Sequence, residues 1–340
     1  MEPMMEVIGV GIAVIDVIHE VAAYPEGEDS KTRSLASRKC RGGNVANALC
    51  VCAQLGSRCR WLGVSTDPAH DSDAAFVHAD LSAFGVDCSL ASIEDKGSMP
   101  ISYILSSRAT GSRTIVNSRN LAELSYEAFV KQLTLYRETN QEDANKPVWL
   151  HFEGRNLEEV ERMMLFLRGS RPAAKISVEV ESLRNDWGSA MKLISLADYA
   201  FISKDYVREK LGFQSAEQFF KDVAAEQWGS ELTHHAKAFI CPWGAEGVYY
   251  LDVPGSEMHQ VPATRLDKVV ETIGAGDSFI GASLAGFARG NLPFDVVLKT
   301  ACEVASAKCS KHGFALPAEN RTTWRKTFRG EGGSVGAYVA

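Results

Sequence analysis

The stretch Val269-Val270-Glu271-Thr272-Ile273-Gly274-Ala275-Gly276-Asp277-Ser278-Phe279 decides how this chain is read. Gly281, Ala282, Ser283, Ala285, Gly286 and Ala288 follow it, and so many small residues predict a helix that its neighbours approach closely. Gly274, Ala275 and Gly276 then form the first turn of that helix. Unpaired N–H groups there, with a dipole equivalent to about half a positive charge, can hold an anion without any lysine. Asp277 lies on the same turn. A carboxylate at that point can take a proton from a hydroxyl while the neighbouring amides stabilise a transferring phosphoryl group. It can equally do no more than stabilise the helix terminus, by about 0.3–1 kcal/mol. Spacing alone leaves both roles open.

Working outward, Gly42-Gly43-Asn44-Val45-Ala46-Asn47-Ala48 opens another helix, which runs to Leu55 and is ended by Gly56. Asn44 and Asn47 share one face of its first turn, and each amide offers the donor and acceptor that read hydroxyl groups. The alternatives are an N-cap for Asn44 and a solvated Asn47. Residues 6–15 read as one buried strand with Asp16 at or near its end. Strand carboxyl ends face the ligand crevice of a parallel α/β sheet, so Asp16 is either a site residue or a loop or capping Asp. Residues 25–41 are polar and lead into Gly42.

Further strands are expected at 58–64, 148–152, 175–180, 198–202, 237–241 and 247–251, and helices at 73–84, 157–167 and 216–228. This alternation predicts an α/β fold with a mostly parallel sheet covered on both faces. The runs 101–105 and 113–117, about a loop containing Gly111, read as a hairpin that projects as a lid or an edge. The glycine-rich end, 329–340, is expected to be mobile.

Composition bounds the function. The chain has 340 residues, 45% hydrophobic and 23% charged, with a net charge of −7. Those values exclude disorder, collagen and coiled coil, and they argue against nucleic-acid binding through a basic surface. The eight cysteines have no CxxC spacing, so free thiols in a reducing compartment are expected. No Lys or Arg precedes Lys31, and the apolar run near the start contains Asp16, so neither a signal peptide nor a membrane span is read there and the expected location is cytoplasmic. There is no GxxxxGK[ST], HExxH or GxSxG, and Gly9-Val10-Gly11 lacks the third glycine of a dinucleotide fingerprint. His234-His235 stands without partners at metal-ligand spacing.

The Gly42-Gly43-Asn44 and Glu271-to-Asp277 segments together resemble the two signatures of the ribokinase-like, or PfkB-type, carbohydrate kinases. Within that family the likeness is greatest to the ketohexokinase branch. It extends through Gly9-Val10-Gly11 with Asp16-Val17-Ile18, Arg41-Gly42-Gly43-Asn44 with Asn47, Gly111-Ser112-Arg113-Thr114-Ile115-Val116, His151-Phe152-Glu153-Gly154-Arg155-Asn156, Ser177-Val178-Glu179-Val180-Glu181 and Leu211-Gly212-Phe213-Gln214-Ser215-Ala216-Glu217. The likeness covers about residues 6–315.

The resemblance implies a three-layer sandwich with a small β-lid, formed from about 16–41 and 99–117, within a single kinase domain over 1–320 followed by a tail at 321–340. It implies an ATP-dependent kinase, most simply one that phosphorylates the C1 hydroxyl of fructose or a related ketose. A ribokinase, a nucleoside kinase or an idle sugar-binding homologue are the alternatives. Asp16, Gly43, Asn44 and Asn47 match the sugar contacts, Asp277 the catalytic base, and Gly274, Ala275 and Gly276 the anion hole. Arg113, Gly244, Ala245, Glu246 and Gly247 match nucleotide contacts, with Trp243 beside the adenine. Magnesium is implied with ATP, and a homodimer through the lid. Two departures stand out. Glu271 replaces the usual Asp, which bears on a potassium requirement, and Ser203-Lys204-Asp205-Tyr206 replaces the Asn-x-x-Glu of ribokinases.

Overall fold

In the computed structural model, which describes residues 4–139 and 146–331, the chain runs β1 (Glu6–Val10), β2 (Val14–Val21), β3 (Ala36–Gly42), α1 (Asn44–Gln54), β4 (Cys59–Leu62), β5 (Val64–Thr66), α2 (Ser72–Ala83), β6 (Val86–Asp87), β7 (Ser92–Glu94), β8 (Ile101–Ser107), β9 (Arg113–Ser118), α3 (Tyr126–Thr139), β10 (Val148–Glu153), α4 (Leu157–Ser170), β11 (Lys175–Val180), α5 (Trp187–Ser195), β12 (Tyr199–Ile202), α6 (Ala216–Ala224), β13 (Ala238–Pro242), β14 (Val248–Asp252), β15 (Glu257–Val261), α7 (Ala275–Phe287), α8 (Phe294–Cys309) and α9 (Ala318–Phe328).

The main sheet has the order β15-β14-β13-β12-β11-β10-β1-β4-β6. It is parallel from β6 to β13, and β14 and β15 are antiparallel additions at one edge. All of β10 is buried, as a central parallel strand requires, and its two faces meet different helices. Trp149 stacks on Phe287 of α7, whereas Phe152 on the opposite face packs against Phe129 of α3. The three expected layers are therefore present.

A separate sheet, β3-β2-β8-β9, stands over the carboxyl ends of the central strands and corresponds to the expected lid. The expected single strand at 6–15 is corrected here. Ile12 donates its N–H to Glu153 Oε2 at 3.0 Å, which takes the backbone out of the β1 ladder, and the chain re-enters as β2 in the lid. Asp16 is thus an interior residue of a lid strand rather than the end of a core strand. Residues 36–42, in the polar stretch that the resemblance places in the lid, form β3, with Cys40 paired to Asp16 in the ladder. Helix α6 is shorter than expected and stops at Ala224.

Helices α1 and α7 cross at unusually close range. A Cβ on Gly281 would lie 2.2 Å from the Ala48 carbonyl oxygen, so only glycine permits this approach. That crossing is what carries the start of α7 to α1. Helix α9 buries Trp324 and Phe328 where a tail from residue 321 was expected, and residues 332–340 lie outside the described residues. None of the eight cysteines is in a disulfide. Among the described residues no helix is long and apolar enough to cross a membrane.

Candidate active site

A cleft of about 1450 Å³ lies between the lid and the main sheet. Its lining includes Asp16, Gly43, Asn44, Asn47, Arg113, Gly244, Ala245, Gly247, Gly274, Ala275, Gly276 and Asp277, residues that are far apart in sequence. Glu246 is not among them; its carboxylate accepts from the Tyr249 hydroxyl at 3.1 Å. Trp243 is buried behind the cleft rather than lining it, which corrects the expectation for that side chain.

At the centre is the start of α7. Gly274 precedes the helix with φ 76°, a left-handed conformation that glycine tolerates, and a Cβ there would meet the Phe314 ring at 2.3 Å. Ala275 donates its N–H to Thr272 O at 3.2 Å, while the Gly274, Gly276 and Asp277 N–H groups have no partner among the described residues. Asp277 Oδ2 accepts from Asn47 Nδ2 at 2.6 Å. Burial pushes the Asp277 carboxyl up to about 7; the Asn47 bond and Arg41 oppose the rise, and the charges of Glu181 and Asp16 add to it.

Asn47 is held from its other end by Arg41, which is itself buried and bonded to Asp80 Oδ2 at 2.7 Å. It is therefore not a solvated side chain. Nor is Asn44 an N-cap, because Gly43, with φ 99°, takes that position and Asn44 begins the helix. Its Nδ2 lies 3.3 Å from Glu179 Oε1. On the lid, Asp16, Ser102 and Asn117 form one cross-strand row, and Ser102 Oγ donates to Asn117 Oδ1 at 2.9 Å. Burial raises the Asp16 carboxyl to about 6, against the pull of Ser102 and Arg41. Arg113 lies exposed on β9, along the rim of the cleft.

The carboxylates Glu153 and Glu179 also line the cleft and were not singled out as site residues. They are register partners at the carboxyl ends of β10 and β11, both buried, and burial raises the Glu153 carboxyl to about 7. The crevice rule that marked Asp16 would have marked them had it been applied to every strand.

Glu271 is fully committed. Lys308, 1% exposed, bonds Oε2 at 2.6 Å, Arg38 of the lid strand β3 bonds Oε1, and His312 lies 3.4 Å from the same oxygen. Burial alone would raise this carboxyl, but Lys308 and Arg38 hold it below the usual range. These contacts do not fit a monovalent cation at Glu271. Among the described residues no group of three or more His, Cys, Asp or Glu is placed to hold a metal ion.

A stability prediction follows from the raised Asp277 carboxyl. A carboxyl with a raised folded-state pKa favours folding at low pH and loses that contribution as pH rises through the folded value. Asp277→Asn, which removes the half-buried charge, is expected to raise the Tm at pH 8, with the gain shrinking as pH falls toward 5. Thermal melts across that range check it, and a gain that grows toward pH 5 would contradict it.

The sequence pattern of the pfkB family of carbohydrate kinases matches residues 4–321. Ketohexokinase of Mus musculus is 32% identical over 317 residues, which is 91% of this chain and 97% of that protein. In fold, ribokinase of Giardia lamblia superposes with a TM-score of 0.77 at 15% identity, covering 96% of this chain and 100% of that one. Arabidopsis thaliana ribokinase, complexed with ribose and ATP, gives 0.74 at 16% identity, with 96% and 99% covered. The match over nearly the whole chain, together with the lid, the crossing of α1 and α7 and the cleft between them, makes this chain a member of the pfkB family of carbohydrate kinases.

Proposed function

We propose that this chain transfers the γ-phosphoryl group of ATP to the C1 hydroxyl of fructose or a related ketose. The observation that carries this reading is the half-buried Asp277 carboxylate, bonded to Asn47 and set on the helix turn whose amides face the same cleft. Its raised pKa suits a group that must accept a proton near neutral pH. The ketose assignment is supported by the 32% identity to a ketohexokinase.

In this mechanism Asp16, Gly43, Asn44 and Asn47 bind the sugar hydroxyls. Asp277 takes the proton of the attacking hydroxyl, and the amides of the Gly274 to Gly276 turn stabilise charge on the transferring group. Arg113 and the Gly244 to Gly247 turn, Glu246 through its backbone, hold the nucleotide. Magnesium bound with ATP would be held chiefly by the nucleotide's own phosphates, since among the described residues no cluster of His, Cys, Asp or Glu is placed to hold it, and it would supply partial neutralisation of their charge. No step runs through potassium, because Glu271 is taken up by Lys308 and Arg38.

Residues 1–320 act as one kinase domain, with lid segments at about 16–41 and 99–117, in a cytoplasmic protein that needs neither nucleic acid nor membrane. The outer lid face exposes Tyr103 and Val116, register partners at 46% and 62%, an apolar surface that suits the lid-to-lid homodimer.

The test is ADP release over a panel of ketoses, aldoses and nucleosides, with and without potassium. Release that depends on a ketose and is indifferent to potassium is expected. A preference for ribose or adenosine would reassign the acceptor, and ligand binding without any ADP release would identify an idle homologue.

A further inference from the structure

The cations that line the cleft differ in what already neutralises them. Arg119 is paired with Glu123, and Arg155 with Glu123 and Glu153. Lys204 also lines the cleft and is half-buried, yet among the described residues it has no carboxylate partner. What it rests on is the Trp243 ring, with Nζ 5.2 Å from the ring centroid.

This placement follows from the sheet. Strands β12 and β13 are parallel neighbours, with Phe201 opposite Ile240, so the residues after each strand emerge at the same edge. Lys204 comes two residues after β12, and Trp243 directly follows β13 at the start of the turn to Gly247. Trp243 is 4% exposed, and its backbone N–H donates to Gly247 O at 2.7 Å, closing that turn. The indole is thus a fixed platform. It supports the ammonium from behind while the turn and Lys204 face one cleft.

The other cations of the cleft are Arg113, Arg119, Arg155, Arg184 and Arg265, and its carboxylates are Asp16, Glu123, Glu153, Glu179, Glu181 and Asp277. An ammonium kept clear of those carboxylates, on the side of the Gly244 to Gly247 turn, is matched to an anionic ligand bound there. We propose that Lys204 contacts the phosphate chain of the nucleotide, as a compact point charge with three donors. The proposal rests on the reading of this cleft as a nucleotide site. It supplies a side-chain cation to complement the α7 turn, which offers only amides.

The experiment compares wild type, Lys204→Met, which keeps an unbranched stem on the indole, and Lys204→Arg. It measures KM for ATP and calorimetric affinity for ATP, inorganic tripolyphosphate and adenosine. For Lys204→Met a rise in KM for ATP and a loss of ATP and tripolyphosphate affinity of about 10- to 100-fold are expected, with adenosine affinity unchanged. Lys204→Arg should recover most of the loss. Equal losses for adenosine and ATP would mean that the lysine only packs Trp243, and unchanged ATP affinity would mean that it touches no phosphate; either overturns the proposal. Wild-type protein that binds neither ATP nor adenosine would overturn the nucleotide reading itself, and the proposal with it.

Discussion

Asp277→Asn is expected to lower turnover about 10²- to 10⁴-fold, the usual cost of removing a general base. The substitution preserves shape, and the new amide oxygen can still accept from Asn47, which bonds Asp277 Oδ2 in the wild type at 2.6 Å. Sugar affinity should therefore change little, and the loss should fall on kcat. The wild-type profile carries the same signature. With the Asp277 carboxyl near 7 and Asp16 near 6, kcat/KM should fall as pH drops through about 7, because a protonated carboxyl cannot take a proton. The two groups lie in one cleft, so the limb reports the pair rather than either residue. Turnover of the variant within threefold of wild type would remove Asp277 from the chemistry.

The second large effect concerns stability. Glu271→Ala is expected to cost about 3–5 kcal/mol, because it leaves the Lys308 ammonium, 1% exposed, without its carboxylate. Phe314 shares in the loss, since Lys308 lies 5.6 Å from its ring centroid and Arg41 5.5 Å. That ring also abuts Gly274, so the damage reaches the first turn of α7. The double variant Glu271→Ala, Lys308→Met should regain much of the stability, because no buried charge is left uncompensated. Urea unfolding of the three proteins checks this. A single-variant loss below about 1 kcal/mol would class the pair with exposed ion pairs.

The α7 turn was legible because its signal is local. Glycines on the first turn and small residues after it describe a close-packed helix without knowledge of its neighbours, and Gly281 meets the Ala48 carbonyl as such a residue should. The central strands were legible for a related reason: burial on both faces yields continuous apolar runs, as at the start of β10 and throughout β12.

What escaped the sequence depends on distant partners. The break between β1 and β2 arises from one bond, Ile12 N–H to Glu153, whose ends are 141 residues apart, and the apolar pattern continues across it without interruption. Strand β3 looks polar because one of its faces carries Arg38 to Glu271 and the other carries Lys39 and Arg41 toward Asp73 and Asp80. Asn47 gave its type and its helical face, but not that Arg41 and Asp277 hold it at opposite ends. The commitment of Glu271 to Lys308 was likewise invisible, since 37 residues separate them.

In the proposed reaction the Asp277 carboxylate takes the proton of a sugar hydroxyl while the turn that carries it stabilises the phosphoryl group arriving from ATP. The most direct measurement is product analysis by phosphorus NMR after incubation of wild type and Asp277→Asn with fructose, ATP and magnesium. A phosphate ester at C1 is expected with wild type and almost none with the variant. Ester formed at equal rates by both proteins, or by neither under conditions where ATP binds, would contradict the proposed reaction.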